Sequence, residues 1–326
     1  MAWFGRLCLS KCDTSDYLIN MEDIARKGFR FLKRKFKKYF VTRPLERYYR
    51  WVFNHRERYP RLYADYLYRQ VLGKKICWRR PLDLNEKINY LAFYTDTTSW
   101  SKLADKYEVH NYVKSKGLTH LLNPIYEKWD SVEEIDVTNL PNEFVLKTNC
   151  GSGDTIIVKD KGGLDISKVK RHFKDVLKHR FGIDGAEPHY LKIKPCIFAE
   201  ALLPGNIVDY KIWCFHGNPY CILTVSNRNT EEHTMDLNYF DLQWNRKNEC
   251  ISEHYRNTAI VEKPINLSRM LDYASVLSQG FPQVRVDFYE IGDKVYFGEM
   301  TFTSAAGRMD YYTNETLLDM GKQIKL

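Results

Sequence analysis

The sequence has no C-x-x-C pair and no Cys-His grouping at zinc-finger spacing, although it holds eight cysteines, at 8, 12, 77, 150, 196, 214, 221 and 250. This spacing argues against a structural zinc site. Several cysteines lie in apolar, strand-like runs such as Ile212-Trp213-Cys214-Phe215, where a free thiol behaves as a small buried hydrophobe. Structural thiols in a reduced, cytosolic compartment are therefore expected. No run of about 18 apolar residues occurs, which excludes a bilayer-spanning helix, and the N-terminus lacks the apolar stretch of a signal peptide. Internal repeats and low-complexity tracts are also missing. No serine or cysteine stands in a local nucleophile signature, so a triad hydrolase fits poorly.

What is present describes an ordinary globular protein: 326 residues, 44% hydrophobic and 28% charged, enough for two or three lobes. Aromatics reach 14%, with 23 tyrosines, which suits either a surface that meets sugars, lipids or protein, or a Tyr-rich core. The net charge of +9 is local, because residues 26–50 hold eleven Lys or Arg against one acid, Glu46. Within that segment Phe29, Leu32, Phe36 and Phe40 recur at helical spacing, so 28–40 reads as a basic amphipathic helix. It suits an anionic membrane surface or docking on its own domain, with Lys and Arg worth roughly 1 kcal/mol each near anionic lipid. Nucleic acid is not expected, since the rest of the chain offers no basic surplus.

Residues 44–72 read as helical, with Pro44 at a first-turn position and Gly73 as a stop. Further helices are expected from Pro81-Leu-Asp-Leu-Asn-Glu-Lys87, over Asp105–Lys116, over Ser167–Phe181, over Leu267–Ser278 and over Met309–Leu326. Glu143–Thr148 reads as a buried strand, followed by Asn149-Cys150-Gly151-Ser152-Gly153 and a second strand, Thr155–Lys159. The G-S-G tip is suited to folding over phosphates, and equally to a plain turn. Pro195–Leu202 is strand-like, and Asp209–Phe215 with Tyr220–Ser226 forms a hairpin that sets Asp209 and Lys211 on one face.

The most telling stretch is Arg285–Gly307. Arg285, Asp287 and Tyr289 alternate with Val284, Val286 and Phe288, and a second alternating run, Val295–Glu299, follows the turn at Gly292-Asp293. Two carboxylates on adjacent strands repel unless a cation lies between them, and oxygen-seeking Mg²⁺ is the expected one. Asp287 and Glu299 share a face only if the loop has an odd number of residues or the ladder carries a bulge. An odd loop is expected here. Lysines, one arginine, a glycine loop and two carboxylates on different strands suit phosphoryl transfer, which rests on positioning and charge neutralisation.

These motifs, in this order, resemble the ATP-grasp superfamily and within it the TupA-like group associated with teichuronopeptide and capsular polysaccharide synthesis. The resemblance is carried by Pro81–Lys87, Ala104-Asp-Lys-Tyr107 with Val113, Gly117 and Pro124, Phe144–Lys159, Phe198-Ala-Glu200, Asp209–Phe215, Arg285–Tyr289 and Gly298–Thr303. It implies an α+β ATP-grasp fold, two α+β lobes with ATP between them, after a mainly helical N-terminal region. The implied divisions are an arm at 1–45, a helical region at 46–125, a lid lobe at 126–202 and a C-terminal lobe with the metal site at 203–326.

By the same resemblance Lys147 contacts ATP phosphates, Gly151, Ser152 and Gly153 close over them, Glu200 lies at the adenine hinge and Asp209 at the ribose. Lys211 and Arg228 match basic positions near phosphate or substrate. Arg285 matches the arginine that steadies the transferred phosphoryl group, making Arg285, Lys147 and Lys211 the catalytic set. Asp287 and Glu299 match the Mg²⁺ carboxylates, and Thr301 stands where many members have Asn. Cys150 stands where relatives often carry His. The implied activity is an ATP- and Mg²⁺-dependent carboxylate–amine ligase acting through an acyl phosphate. Its partners would be a carboxylate and an amine, glycan- or lipid-linked, at the cytoplasmic membrane face. A glycan or sugar kinase, a glycosyltransferase and a non-catalytic nucleotide-binding protein are the alternatives.

Overall fold

The computed structural model describes residues 43–151, 153–205, 207–229 and 234–326. The basic helix expected at 28–40 and Ser152 lie outside the described residues. Two compact units divide at Tyr66 and Leu67. Residues 43–66 are helical: α1 (Arg43–Asn54) ends in a turn and α2 (Pro60–Leu72) begins at a proline whose missing N–H costs nothing in a first turn. The single helical stretch expected over 44–72 is thus two helices. In the N-terminal unit, Tyr49 and Tyr66 bring their ring centroids within 5.0 Å, and Trp51 and Tyr59 within 5.1 Å.

The second unit holds α3 (Leu84–Tyr94), α4 (Thr98–Ala104) and α5 (Val109–Ser115) ahead of two antiparallel sheets. The first sheet comprises β1 (Ile125–Trp129), β2 (Phe144–Thr148), β3 (Ile156–Val158) and β4 (Ile197–Glu200), in the order β1-β4-β2-β3. Between β3 and β4 run α6 (Ile166–Val176) and the short α7 (Phe181–Asp184). The second sheet comprises β5 (Asp209–Phe215), β6 (Asn218–Asn229), β7 (Thr234–Phe240), β8 (Val284–Ile291) and β9 (Lys294–Thr301), in the order β7-β6-β5-β8-β9. Helix α8 (Leu267–Ser278) precedes β8 and α9 (Asn314–Lys322) follows β9. Met270, Ala274 and Leu277 of α8 are fully buried in the core that backs this sheet. Each large apolar side chain so buried contributes about 1.5–3 kcal/mol.

The Pro81–Lys87 motif has a structural task. Asp83 caps α3 by accepting the Glu86 amide at 2.8 Å, and Glu86 returns a carboxylate to the Leu82 amide at 2.9 Å. Asn85 exchanges two 2.9 Å bonds with the Met309 backbone, Asn89 Nδ2 donates to the Gly307 carbonyl at 3.0 Å, and Lys87 Nζ reaches the Ile324 carbonyl at 2.7 Å. The Asn85 and Asn89 bonds strap residues 307–309 down, and Thr313 caps the helix that follows, so the expected helix over 309–326 is shortened to α9. Gly321 of α9 packs so close that an added Cβ would lie 2.3 Å from the Leu82 carbonyl oxygen. Gly321→Ala is expected to cost about 1–3 kcal/mol by overpacking, read as a lowered urea midpoint at unchanged slope.

Candidate functional site

Lys147 and Glu200 project from β2 and β4, neighbours in the first sheet, and form an ion pair of 2.5 Å. The Lys147 ammonium also lies 5.2 Å from the centre of the Phe198 ring. At the end of β2, Thr148 anchors the glycine loop: its amide donates to Asp154 Oδ2 at 3.0 Å, and its hydroxyl lies against Asp154 and the Cys150 carbonyl. Gly151 and Gly153 take φ of 122° and 79°, the left-handed region that a Cβ disfavours. Lys106 Nζ grips the Gly151 carbonyl at 2.5 Å, and Asp105 holds Asn149 Nδ2 at 2.7 Å. Asp105 also caps the Tyr107 and Glu108 amides. The helix expected from Asp105 begins as α5 only at Val109, after a turn over 106–108.

In the second sheet Asp209, Lys211, Arg285 and Asp287 share a face, with Lys211 paired to Asp287 across β5 and β8. Lys211 Nζ lies 2.5 Å from Asp287 Oδ2 and 3.7 Å from Asp209 Oδ1, while Arg228 binds Asp209 Oδ2 at 2.8 Å. Arg285 forks onto Asp287 with two bonds of 2.7 Å and reaches Glu299 Oε1, Thr301 Oγ1 and Ser304 Oγ at 3.0 Å each. The Thr301 hydroxyl in turn donates to Glu299 Oε1 at 2.8 Å.

The loop between β8 and β9 is the two-residue Gly292-Asp293 turn, so the expected odd loop is absent. A bulge does its work: Phe288 pairs with Phe297 but Asp287 pairs with Glu299, leaving Gly298 as the extra residue. The acids therefore share a face. The cation between them is the Arg285 guanidinium, so their proximity by itself does not demand a metal, contrary to the argument from repulsion. Burial would raise the Glu299 carboxyl, but Arg285, then Lys211 and Lys106, bring it down to about 2. Burial also works against the Arg285 charge, and Asp287 and Glu299 more than reverse it.

Tyr289 shows how the two sheets converge. Its hydroxyl is pushed up by burial and then by Asp209, Glu299, Asp287 and Glu200, carboxylates from both sheets. The structure thus gathers Glu200, Asp209, Lys211, Arg228, Arg285, Asp287, Glu299 and Thr301 around one region. Lys147 enters it through its pair with Glu200. Lys106, in the Ala104–Tyr107 motif but given no role by sequence reasoning, lies against the glycine loop and acts on Glu299. The cysteines among the described residues are free.

Two sheets bringing these side chains together define an ATP-grasp fold. The family model described as TupA-like ATPgrasp matches residues 86–325, and the chain belongs to that family. No curated protein matches the chain. Among solved structures it is similar to a D-alanine–D-alanine ligase from Bacillus anthracis complexed with ATP, at 13% identity and a TM-score of 0.40, covering 70% of this chain and 64% of that one. The corresponding Helicobacter pylori ligase gives 15% identity and a TM-score of 0.43, covering 74% and 69%. An L-amino acid ligase from Bacillus licheniformis gives 14% and 0.42, covering 68% of this chain and 49% of that one. The chain thus spans less than two thirds of the first and about half of the third.

Proposed function

We propose that this protein is an ATP- and Mg²⁺-dependent carboxylate–amine ligase, joining an amine or amino acid to a uronic acid or other carboxylate in surface polysaccharide synthesis. The observation that supports it most directly is Arg285, held between two carboxylates and flanked by Lys211. A substrate carboxylate oxygen attacks the γ-phosphorus of ATP, the bond to ADP breaks, and an acyl phosphate results. The amine nitrogen then adds to the acyl carbon, phosphate leaves, and loss of a proton completes the amide. Arg285, Lys147 and Lys211 carry positive charge to the oxygens where negative charge builds, in a setting fixed before the reaction. The Gly151–Gly153 loop covers the nucleotide phosphates and keeps water from the acyl phosphate. Glu200 and Asp209 serve the nucleoside, and Arg228 braces Asp209.

Asp287, Glu299 and Thr301 fit a magnesium ion bound with phosphates: the donors are hard oxygens on one face, and one or two carboxylates suffice for such a site. When bound, the ion supplies further neutralisation of phosphoryl charge. The basic segment at 26–50 supports placement at the inner membrane face, beside a lipid- or glycan-linked substrate.

The test is incubation of purified protein with ATP, Mg²⁺ and pools of uronic acids and amino acids. Substrate-dependent ADP and phosphate release with an amide product by mass supports the reading. A stable phosphorylated glycan formed without phosphate release identifies a kinase instead. Lys147→Met, which also frees Glu200, is expected to raise KM for ATP about tenfold, the value of roughly 1.4 kcal/mol of lost phosphate contact.

A further inference from the structure

We propose that Glu187 is a positioning residue for Arg285, acting through Thr303 and Ser304, and that its proton sets how firmly the arginine is held. The inference rests on the reading that Arg285 serves phosphoryl transfer. Glu187 lies just after α7, and its amide donates to the Gly182 carbonyl at 2.8 Å. Its carboxylate tucks against Gly185, where an added Cβ would sit 2.3 Å from Glu187 Oε2. The Thr303 hydroxyl donates to Glu187 Oε1. The next residue, Ser304, is 1% exposed, and its Oγ accepts from Arg285 Nη1 at 3.0 Å. A carboxylate preceding the first sheet's last strand is thus two adjacent residues away from the arginine of the second sheet.

The strap that carries this connection is strained. Ala305 and Ala306 take φ of 46° and 52°, a left-handed backbone that alanine adopts only when its surroundings enforce it. The enforcing bonds are Arg308 Nη1 to the Gly185 carbonyl at 3.0 Å, Asn89 to Gly307, Asn85 to Met309, and Thr303 to Glu187. Three of these four anchors are neutral amide or backbone bonds or a fixed arginine. Only the Glu187 anchor can change its charge near neutral pH.

The titratable and charged groups that act on Glu187 or feel it are Arg308 and Tyr190, and His189 follows two residues on. Burial pushes the Glu187 carboxyl up to about 7, against the opposing effects of the Thr303 bond and Arg308. Burial and then the Glu187 charge keep the Tyr190 phenol protonated, and burial holds His189 neutral, with its pKa lowered to about 3. Neither ring nitrogen of His189 has a hydrogen-bond partner. Above pH 7 the carboxylate only accepts, and Thr303 gives it a charge-assisted bond, which is the stronger kind. Below pH 7 the carboxylic acid is itself a donor, the Thr303 bond becomes neutral, and the strap loosens at Ser304.

The sign for stability is opposite. A carboxyl raised in the fold binds more protons there than in the unfolded chain, so stability falls as pH rises from the ordinary glutamate value toward 7. Firm holding of Arg285 and maximal stability therefore lie on opposite sides of this titration.

The experiment uses the full chain and two readouts. Glu187→Gln keeps an acceptor of the same shape for Thr303 but cannot ionise. The Arg285 Nε–H resonance, assigned with Arg285→Lys, is followed by NMR from pH 5.5 to 8.5, alongside ADP release. Expected are a shift with midpoint near 7 in the wild type and none in Glu187→Gln, whose kcat at pH 8 falls about fivefold at unchanged KM for ATP. A wild-type resonance that does not move near pH 7, or the same titration in Glu187→Gln, overturns the proposal. A titrating resonance in a protein that releases no ADP leaves the coupling standing and overturns the ligase reading instead.

Discussion

Arg285→Ala is expected to lower ATP-dependent turnover by about three orders of magnitude and stability by about 3–5 kcal/mol. The two losses have one origin. Asp287 is 1% exposed, and both of its oxygens are bound by Arg285, one of them shared with Lys211. Removing the guanidinium leaves Asp287 with a single lysine partner and Glu299 without its main counter-charge, held by the Thr301 hydroxyl alone. Glu299 then loses the largest of the charges that hold its carboxyl down, with only Lys211 and Lys106 left to do so, and the stability its depressed titration contributes above the ordinary glutamate range shrinks. Arg285→Lys is not expected to rescue. One ammonium cannot fork onto Asp287 while also reaching Glu299, Thr301 and Ser304. Urea unfolding at pH 4 and pH 8, with ADP release at saturating ATP, measures both effects; wild-type turnover in Arg285→Lys would show that charge alone suffices.

Much of this site is legible in the sequence because strand alternation is local information. The face shared by Asp209 and Lys211, and that shared by Arg285 and Asp287, follow from period 2, and the order of motifs identifies the ATP-grasp fold. What escapes is set by contacts distant along the chain. Lys106 reaches Gly151 across 45 positions, and Asn85 straps Met309 across 224, so neither role nor helix boundary could be read from neighbours. Thr303 and Glu187 meet across 116 positions, and nothing in the Gly-Ala-Glu-Pro run at 185–188 announces a buried carboxylate. Other misses had a local signal. Pro60 marks the start of α2 and divides the stretch at 44–72, and Asp105 is the residue type that caps rather than continues a helix.

The bulge at Gly298 explains why the hairpin works with so short a turn, and it yields the second large expected effect. From the Gly292-Asp293 turn an unbroken ladder would pair Asp287 with residue 298 and place Glu299 opposite Val286, on the core side. The extra residue shifts Glu299 and Thr301 onto the face of Arg285 and sends Met300 into the core against Val286. A side chain there is crowded: a Cβ on Gly298 would lie 3.0 Å from the Asp287 carbonyl oxygen and 3.2 Å from the Tyr289 ring. Relief requires moving the backbone of Asp287, the acid that receives both Arg285 and Lys211. Gly298→Ala is expected to cost about 1 kcal/mol, and Gly298→Val about 3 kcal/mol with turnover down roughly a hundredfold. Unfolding and ADP-release assays on the pair should show activity falling faster than stability, because a displacement under 1 Å misaligns the arginine before it unfolds the sheet. Full activity in the valine variant would mean that the bulge sets the fold of the hairpin and not the position of its acids.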